Sequence, residues 1–170
     1  SNLIKLLGIQ GSPTVRQMVN HLKHCASQDI PVPDVLYQRL SEEQWQSDPT
    51  VDTLRIVRCI YLVGTGYVSP GHVFWNEHGF GRYRFRLTNN LVAYARFLER
   101  VGVRRAPGPL DAIEVLVDVA ADTSLRGQVL APEDASVVSY CWQCLADAHH
   151  AGELPEEALA VLSDKAVVLD

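Results

Sequence analysis

The chain has 170 residues, 47% of them hydrophobic and 21% charged, and a formal net charge of −5. Such a composition is close to the globular average and excludes a disordered chain, while the length allows one ordinary domain or two small units packed together. No run approaches the roughly 18 apolar residues of a membrane span, and Ser1-Asn2-Leu3-Ile4-Lys5 lacks the charged-then-apolar pattern of a signal peptide. Four cysteines are present, but a chain of this length builds a core without disulfides, so a reduced cytoplasmic protein is expected.

In chain order, residues 3–7 read as the end of a helix stopped by Gly8. Ser12 is the expected N-cap of the next helix, with Pro13 at its first position, where a missing N–H would be unpaired anyway. Val15, Met18, Val19, Leu22, Cys25 and Ala26 then form one apolar stripe at helical spacing. Residues 30–33 break that helix. Pro33-Asp34 opens a second, with Leu36, Tyr37 and Leu40 inward, and residues 49–57 make a short third one.

The period then changes. Cys59-Ile60-Tyr61-Leu62-Val63 is a short apolar run, Gly64-Thr65-Gly66 a turn and Tyr67-Val68 the return, which predicts a small β hairpin. Either Val73-Phe74-Trp75 or residues 83–87 should complete it, since two strands alone are marginal in water. In Tyr83-Arg84-Phe85-Arg86-Leu87 strict alternation puts the arginines on one face and the apolar residues on the other. Asn89 or Asn90 should cap a helix reaching about Val101, with Leu91, Tyr94, Ala95 and Leu98 in its stripe.

The second half repeats the same scheme. A helix from about Pro109 to Thr123 would use Leu110, Ile113, Leu116, Val117 and Ala120. A longer one, from about Pro132 to Ala151, would use Val137, Val138, Cys141, Leu145 and Ala148 and stop at Gly152. Pro155 opens a short third helix, and Ala166-Val167-Val168-Leu169 looks like a counterpart of residues 59–62. An internal match supports this order. Leu7-Gly8-Ile9 and Pro13 recur as Val101-Gly102-Val103 and Pro107 at an offset of 94, which also pairs Val19 with Ile113, Leu22 with Leu116, Cys25 with Val119 and Ala26 with Ala120. The expected fold is therefore α+β and mainly helical, with helix pairs and a small β hairpin repeated about one and a half times. Residues 1–105 would hold the first unit, and 106–170 an incomplete second unit that continues in a longer protein.

Residues 59–74, Cys-Ile-Tyr-Leu-Val-Gly-Thr-Gly-Tyr-Val-Ser-Pro-Gly-His-Val-Phe, resemble a phrase that recurs in the very large sacsin-like proteins and their bacterial relatives. The sequence of a helix, a Val-Gly-Val step, a Pro and another helix resembles them too. The resemblance implies a short strand, a glycine turn, an aromatic-Val-x-Pro step and a hydrophobic stop. It also implies a structural or chaperone-associated region that comes after a heat-shock-protein-like ATPase module. None of the ATPase's own motifs occurs in this chain.

Chemistry-bearing residues are few. Cys141 and Cys144 lie one helical turn apart, and His21 and Cys25 share a face at i and i+4, so these four are weak candidates for a structural zinc site. No second Cys-x-x-Cys accompanies them, and buried helical cysteines are the plainer reading. No dinucleotide fingerprint, phosphate loop, nucleophile elbow or zinc-hydrolase motif is present, so neither a catalytic residue nor a cofactor is expected.

Charge is the stronger signal. Residues 55–105 carry a net +7 and residues 106–170 a net −10. Arg82, Arg84 and Arg86 would project from one strand face, and Arg96, Arg100, Arg104 and Arg105 would extend that zone. A basic groove with interleaved aromatics suits single-stranded nucleic acid. The same arginines could instead pair with Asp111, Glu114, Asp118 and Asp122, and the acidic overall charge favours that use. Trp75, Phe74 and Phe80 could form a partner-binding rim, or could pin a loop. The expected function is a non-catalytic structural or protein-interaction region whose partners are other domains of the same polypeptide or another protein. Nucleic acid is the alternative, and no membrane partner is expected.

Overall fold

The apolar stripe beginning at Val15 forms the first helix of the structure, a computed structural model that describes residues 11–164, with side chains to residue 161. Helix α1 (Val15–Ser27) buries Val15, Met18, Val19, Leu22 and Cys25. Its cap is Thr14 and not Ser12. Thr14 Oγ1 accepts from the Gln17 N–H at 3.2 Å, and Gln17 Oε1 accepts from the Thr14 N–H at 2.9 Å. This reciprocal box satisfies two otherwise orphaned donors, so the helix starts two residues later than expected.

Helix α2 (Asp34–Leu40) begins after Pro33 and buries Leu36, Tyr37 and Leu40. Residues 49–57 divide into α3 (Pro49–Asp52), capped by the Asp48 carboxylate, and a tighter 3-10 turn over Thr53–Ile56. Strand β1 (Ile60–Leu62) then pairs antiparallel with β2 (Gly66–Val68), with Tyr61 opposite Tyr67. Tyr37 anchors this hairpin to α2, because its hydroxyl donates to the Cys59 carbonyl at 2.7 Å and accepts from the Tyr61 N–H at 3.0 Å.

The hairpin gains no third strand. Pro70 opens a 3-10 turn over Pro70–His72, which turns the chain off the hairpin edge. Strands β3 (Val73–Phe74) and β4 (Phe85–Arg86) instead form a separate two-stranded sheet. The Leu87 N–H donates to the Phe74 carbonyl at 2.9 Å, and Phe74 forms a parallel bridge with Arg104. The strand expected over 83–87 is shortened because Gly81–Tyr83 is a 3-10 turn. Neither Asn89 nor Asn90 caps a helix. Thr88 precedes a 3-10 segment (Asn89–Tyr94), and α4 (Ala95–Val101) begins only after it. Three residues per turn rotate the register, so Phe97, Leu98 and Val101 join Leu91 in the core while Tyr94 and Ala95 are half-buried.

Helix α5 (Pro109–Leu125) buries Ala112, Ile113, Val115, Leu116 and Val119. Leu110, expected inside, is 42% exposed, and Val117 and Ala120 are half-buried. Asp111 sets that rotation: it is itself buried, and its carboxylate accepts from the Gly108 N–H at 2.7 Å. Helix α6 (Pro132–His150) buries Val137, Cys141, Leu145 and Ala148, while Val138, also expected inside, is half-buried, and α7 (Glu156–Asp164) opens after Pro155. The fold is thus α+β and mainly helical. Among the described residues, no helix is long and apolar enough to cross a membrane.

The described residues fall into two compact units, one comprising 11–75 and 86–104, the other 76–85 and 105–164. The helix end expected at residues 3–7, the first Leu-Gly-Ile step and the strand expected at residues 166–169 lie outside the described residues. Within them the offset of 94 carries burial as well as residue type. Met18, Val19, Leu22 and Cys25 are buried in the first unit, as are Ala112, Ile113, Leu116 and Val119 in the second.

Replacing Tyr37 by Phe leaves the half-buried Tyr61 N–H and the buried Cys59 carbonyl without this partner at the hairpin. The expected loss is about 1–3 kcal/mol of stability, read from the urea midpoint, with the helical circular dichroism of the folded protein retained.

Candidate interaction site

The segment Asn76–Phe85 forms a strap that interrupts the first unit in sequence but belongs to the second. Two glycines let it lie close against α6. A Cβ at Gly79 would stand 2.5 Å from the Tyr140 ring, and one at Gly81, where φ is +55°, would stand 2.9 Å from Val137. Between them Phe80 is fully buried and meets Tyr140 edge to face, with ring centroids 5.0 Å apart. The Phe80 N–H donates to His78 Nδ1 at 3.3 Å, tightening the turn.

Beyond this plug the strap is held by charge. Arg82 Nη2 donates to Asp134 Oδ2 at 2.9 Å and lies 3.0 Å from Asp122 Oδ2. The Tyr83 hydroxyl accepts from Arg82 at 2.8 Å and donates toward Asp134 at 3.0 Å and Asp122 at 3.2 Å. Arg84 is only 3% exposed, and its two terminal nitrogens reach Glu114 and Asp118, each at 3.1 Å. Glu114, Asp118 and Asp122 recur every four residues along α5, so they form one row facing the two arginines.

Asp134 is the one deeply buried carboxylate of this network, 1% exposed and in the first turn of α6. Burial alone would raise its carboxyl. The Arg82 and Tyr83 hydrogen bonds outweigh that effect and hold it below the ordinary 3.8. Burial, and then the neighbouring Asp134 carboxylate, push the Tyr83 phenol up, so it stays a donor.

The remaining basic residues serve other ends. Arg100 is bidentate to Asp52 at 3.1 and 3.2 Å and also donates to the Trp45 carbonyl at 2.6 Å, all within the first unit. Its hydrogen bond to Asp52 holds that carboxyl below its usual value. Arg104 lies over the Phe74 ring at 5.2 Å and donates to the Gly71 carbonyl at 3.3 Å. Arg86, Arg96 and Arg105 are on the surface. The single arginine face expected for a strand is not formed: Arg84 is buried, and Tyr83 and Phe85 are the half-buried residues beside it. Local backbone explains the inversion, because the 3-10 turn at 81–83 ends the pleat before alternation can set in. The aromatic rim is not formed either, since Phe74 and Phe80 are fully buried and Trp75 is half-buried.

The zinc candidates are split between the two units. In the first, Cys25 Sγ lies 3.6 Å from His21 Nε2, and both line an apolar pocket of about 290 Å³ with His24, Ile30, Pro31 and Pro33. In the second, Cys141 is buried and Cys144 half-buried on α6. All four cysteines are unbridged. Burial pushes the Cys59 and Cys141 thiols up to about 12, far from a reactive thiolate. Among the described residues, no group of three or more His, Cys, Asp or Glu is placed to hold a metal ion.

No family model, curated protein or solved structure matches the chain. The site therefore rests on its geometry. Phe80 with its flanking glycines, Arg82, Tyr83, Arg84 and the α5 acids are legible in the sequence as candidates, whereas Asp134 and Tyr140 are not. Asp134 reads in sequence as an ordinary first-turn acid, and only the excess of acid in the second half hints that arginines would seek it.

Asp134→Asn removes a carboxylate whose folded pKa is depressed. Its contribution is complete above the ordinary value of 3.8 and is lost as the pH falls below that value through the folded one. Acid titration of unfolding should therefore show a flatter profile below about pH 4 for the variant, with about 1–3 kcal/mol lost at neutral pH. Arg84→Met should behave differently. The partner side chains are 61% and 49% exposed and rehydrate, so the stability read from thermal unfolding should change by no more than about 1 kcal/mol in either direction.

Proposed function

We propose that the chain is a non-catalytic structural or protein-interaction region of a larger, ATPase-containing protein of chaperone type. The observation that carries this reading is the internal use of the basic centre. Arg82 and Arg84 are committed to carboxylates of α5 and α6, and Arg100 to Asp52 and main-chain carbonyls. Guanidinium groups bound in this way are not available to a phosphate backbone, whose affinity comes from arginine and lysine that displace its counterions. The aromatic residues interleaved with these arginines, Tyr83 and Phe85, are half-buried, and the Tyr83 hydroxyl is held by Asp134 and Asp122, so they form no open stacking surface beside the arginines.

Two further observations support the reading. Residues 59–74, which resemble the sacsin-like phrase, fold as a short strand, a glycine turn, a Tyr-Val-Ser-Pro step and a hydrophobic strand. The coincidence of buried positions at an offset of 94 is what tandem helix-pair units would produce. Each unit also leaves a large aliphatic side chain in water, Ile56 at 93% and Leu125 at 87% exposure. Such residues add nothing to the core and are available to a protein partner.

A fluorescent single-stranded oligonucleotide, titrated at low salt, should show no change in anisotropy with this chain. Saturable, salt-dependent binding that is lost when Arg86, Arg96, Arg104 and Arg105 are replaced by Ala would overturn the proposal and install nucleic acid as the ligand.

A further inference from the structure

The strap and the α5–α6 face make a matched pair that joins residues far apart in sequence. On one side stands an aromatic-Gly-Arg-aromatic-Arg segment, and on the other Tyr140, Val137, the buried Asp134 and the carboxylate row of α5. Each contact has the form of a recognition contact. Phe80 is a fully buried anchor against an aromatic wall, the two glycines permit an approach that any Cβ would block, and the two arginines read carboxylates at fixed spacing. The acids remain partly hydrated, with side chains of Glu114, Asp118 and Asp122 at 61%, 49% and 36% exposure. The ionic half of the contact can therefore open and close without stranding a buried charge on α5.

Besides these side chains, the Asn76 N–H holds the start of the strap to the Arg105 carbonyl at 2.9 Å. The strap is flanked by β3 and β4, which are only two residues each. A short segment that lies between brief strands and packs its side chains on elements 30 to 60 residues further along the chain is the kind of element that identical chains exchange.

We propose that the α5–α6 face is a peptide-recognition groove for aromatic-Gly-Arg-aromatic-Arg segments, filled here by the chain's own Asn76–Phe85 strap, and that a second copy of this chain supplies the same strap in trans. This rests on the protein-interaction reading above and names its partner.

The test uses the whole chain and a labelled peptide spanning residues 76–85. Phe80→Ala weakens the resident strap and leaves the groove intact. The peptide should bind this variant at least about tenfold more tightly than it binds the wild-type chain, whose groove is filled. Adding Asp134→Asn should weaken binding by a further tenfold or so, and rising salt should weaken it progressively. If Phe80→Ala fails to fold, Gly79→Ala keeps the Phe80 ring and displaces the strap through Tyr140. A complementation experiment identifies the natural occupant. A Phe80→Ala chain (altered strap) mixed with a Tyr140→Ala chain (altered groove) should give a heterodimer by analytical ultracentrifugation that neither forms alone. A folded variant that ignores the peptide, or equal binding to wild type, overturns the groove. Peptide binding without a heterodimer overturns the second copy as its occupant. Either result leaves the interaction reading standing if the oligonucleotide titration is negative, whereas oligonucleotide binding removes that reading whatever the peptide does.

Discussion

A carboxylate taken out of water must be paired, and Asp134 is the point at which this chain meets that requirement. Its place in the first turn of α6 gives it the favourable end of a helix dipole, but at 1% exposure that alone is not enough. Arg82 and Tyr83 supply the partners. Both belong to the strap, so the ionised state of one α6 residue depends on a segment about 50 residues earlier in the chain. Once Arg82 is fixed there, Phe80 is drawn against Tyr140, and Gly79 and Gly81 are required by the closeness of the approach. Arg84 then has nowhere to go except the α5 row. The second unit is organised around this constraint as much as around its apolar core.

The helices are largely legible in the sequence because proline, glycine and apolar periodicity act locally. Val15 to Cys25, Leu36 to Leu40 and Val137 to Ala148 are buried where their spacing puts them. Misreadings cluster where a hydrogen bond or a turn overrides periodicity. The Thr14–Gln17 box moves one helix start, and Asp111 turns α5 so that Leu110 faces water. A six-residue 3-10 segment shifts the register before α4.

The strap is the hardest stretch to read, for a physical reason. Alternation predicts faces only where a pleated strand persists, and the turn over Gly81–Tyr83 leaves a strand of only two residues. Polarity then misleads, because Arg84 is buried while Tyr83 and Phe85 on either side of it are only half-buried. Nothing local could announce this. The partners lie on helices that obey a separate set of rules, and the only trace in the sequence is the segregation of charge into a basic centre and an acidic second half. Intramolecular complementarity, one of the two uses open to the arginines, is the use to which the structure puts Arg82, Arg84 and Arg100.

The two units differ most where this matters. Their first helices share buried positions at an offset of 94, but α2 has 7 residues where α6 has 19. The shorter helix spends its central aromatic, Tyr37, on a hairpin later in the same unit. The longer one sets Tyr140 against a phenylalanine from the strap and carries Asp134 at its start. In both units one tyrosine of the second helix fixes an incoming stretch of extended or turning backbone, once through its hydroxyl and once through its ring. A hydroxyl bridge between main-chain groups is indifferent to the side chains around it, whereas a ring set edge to face against Phe80 beside two arginine sites discriminates among sequences. Tyr37 thus fixes main-chain groups alone, whereas Tyr140 fixes a segment through its side chains.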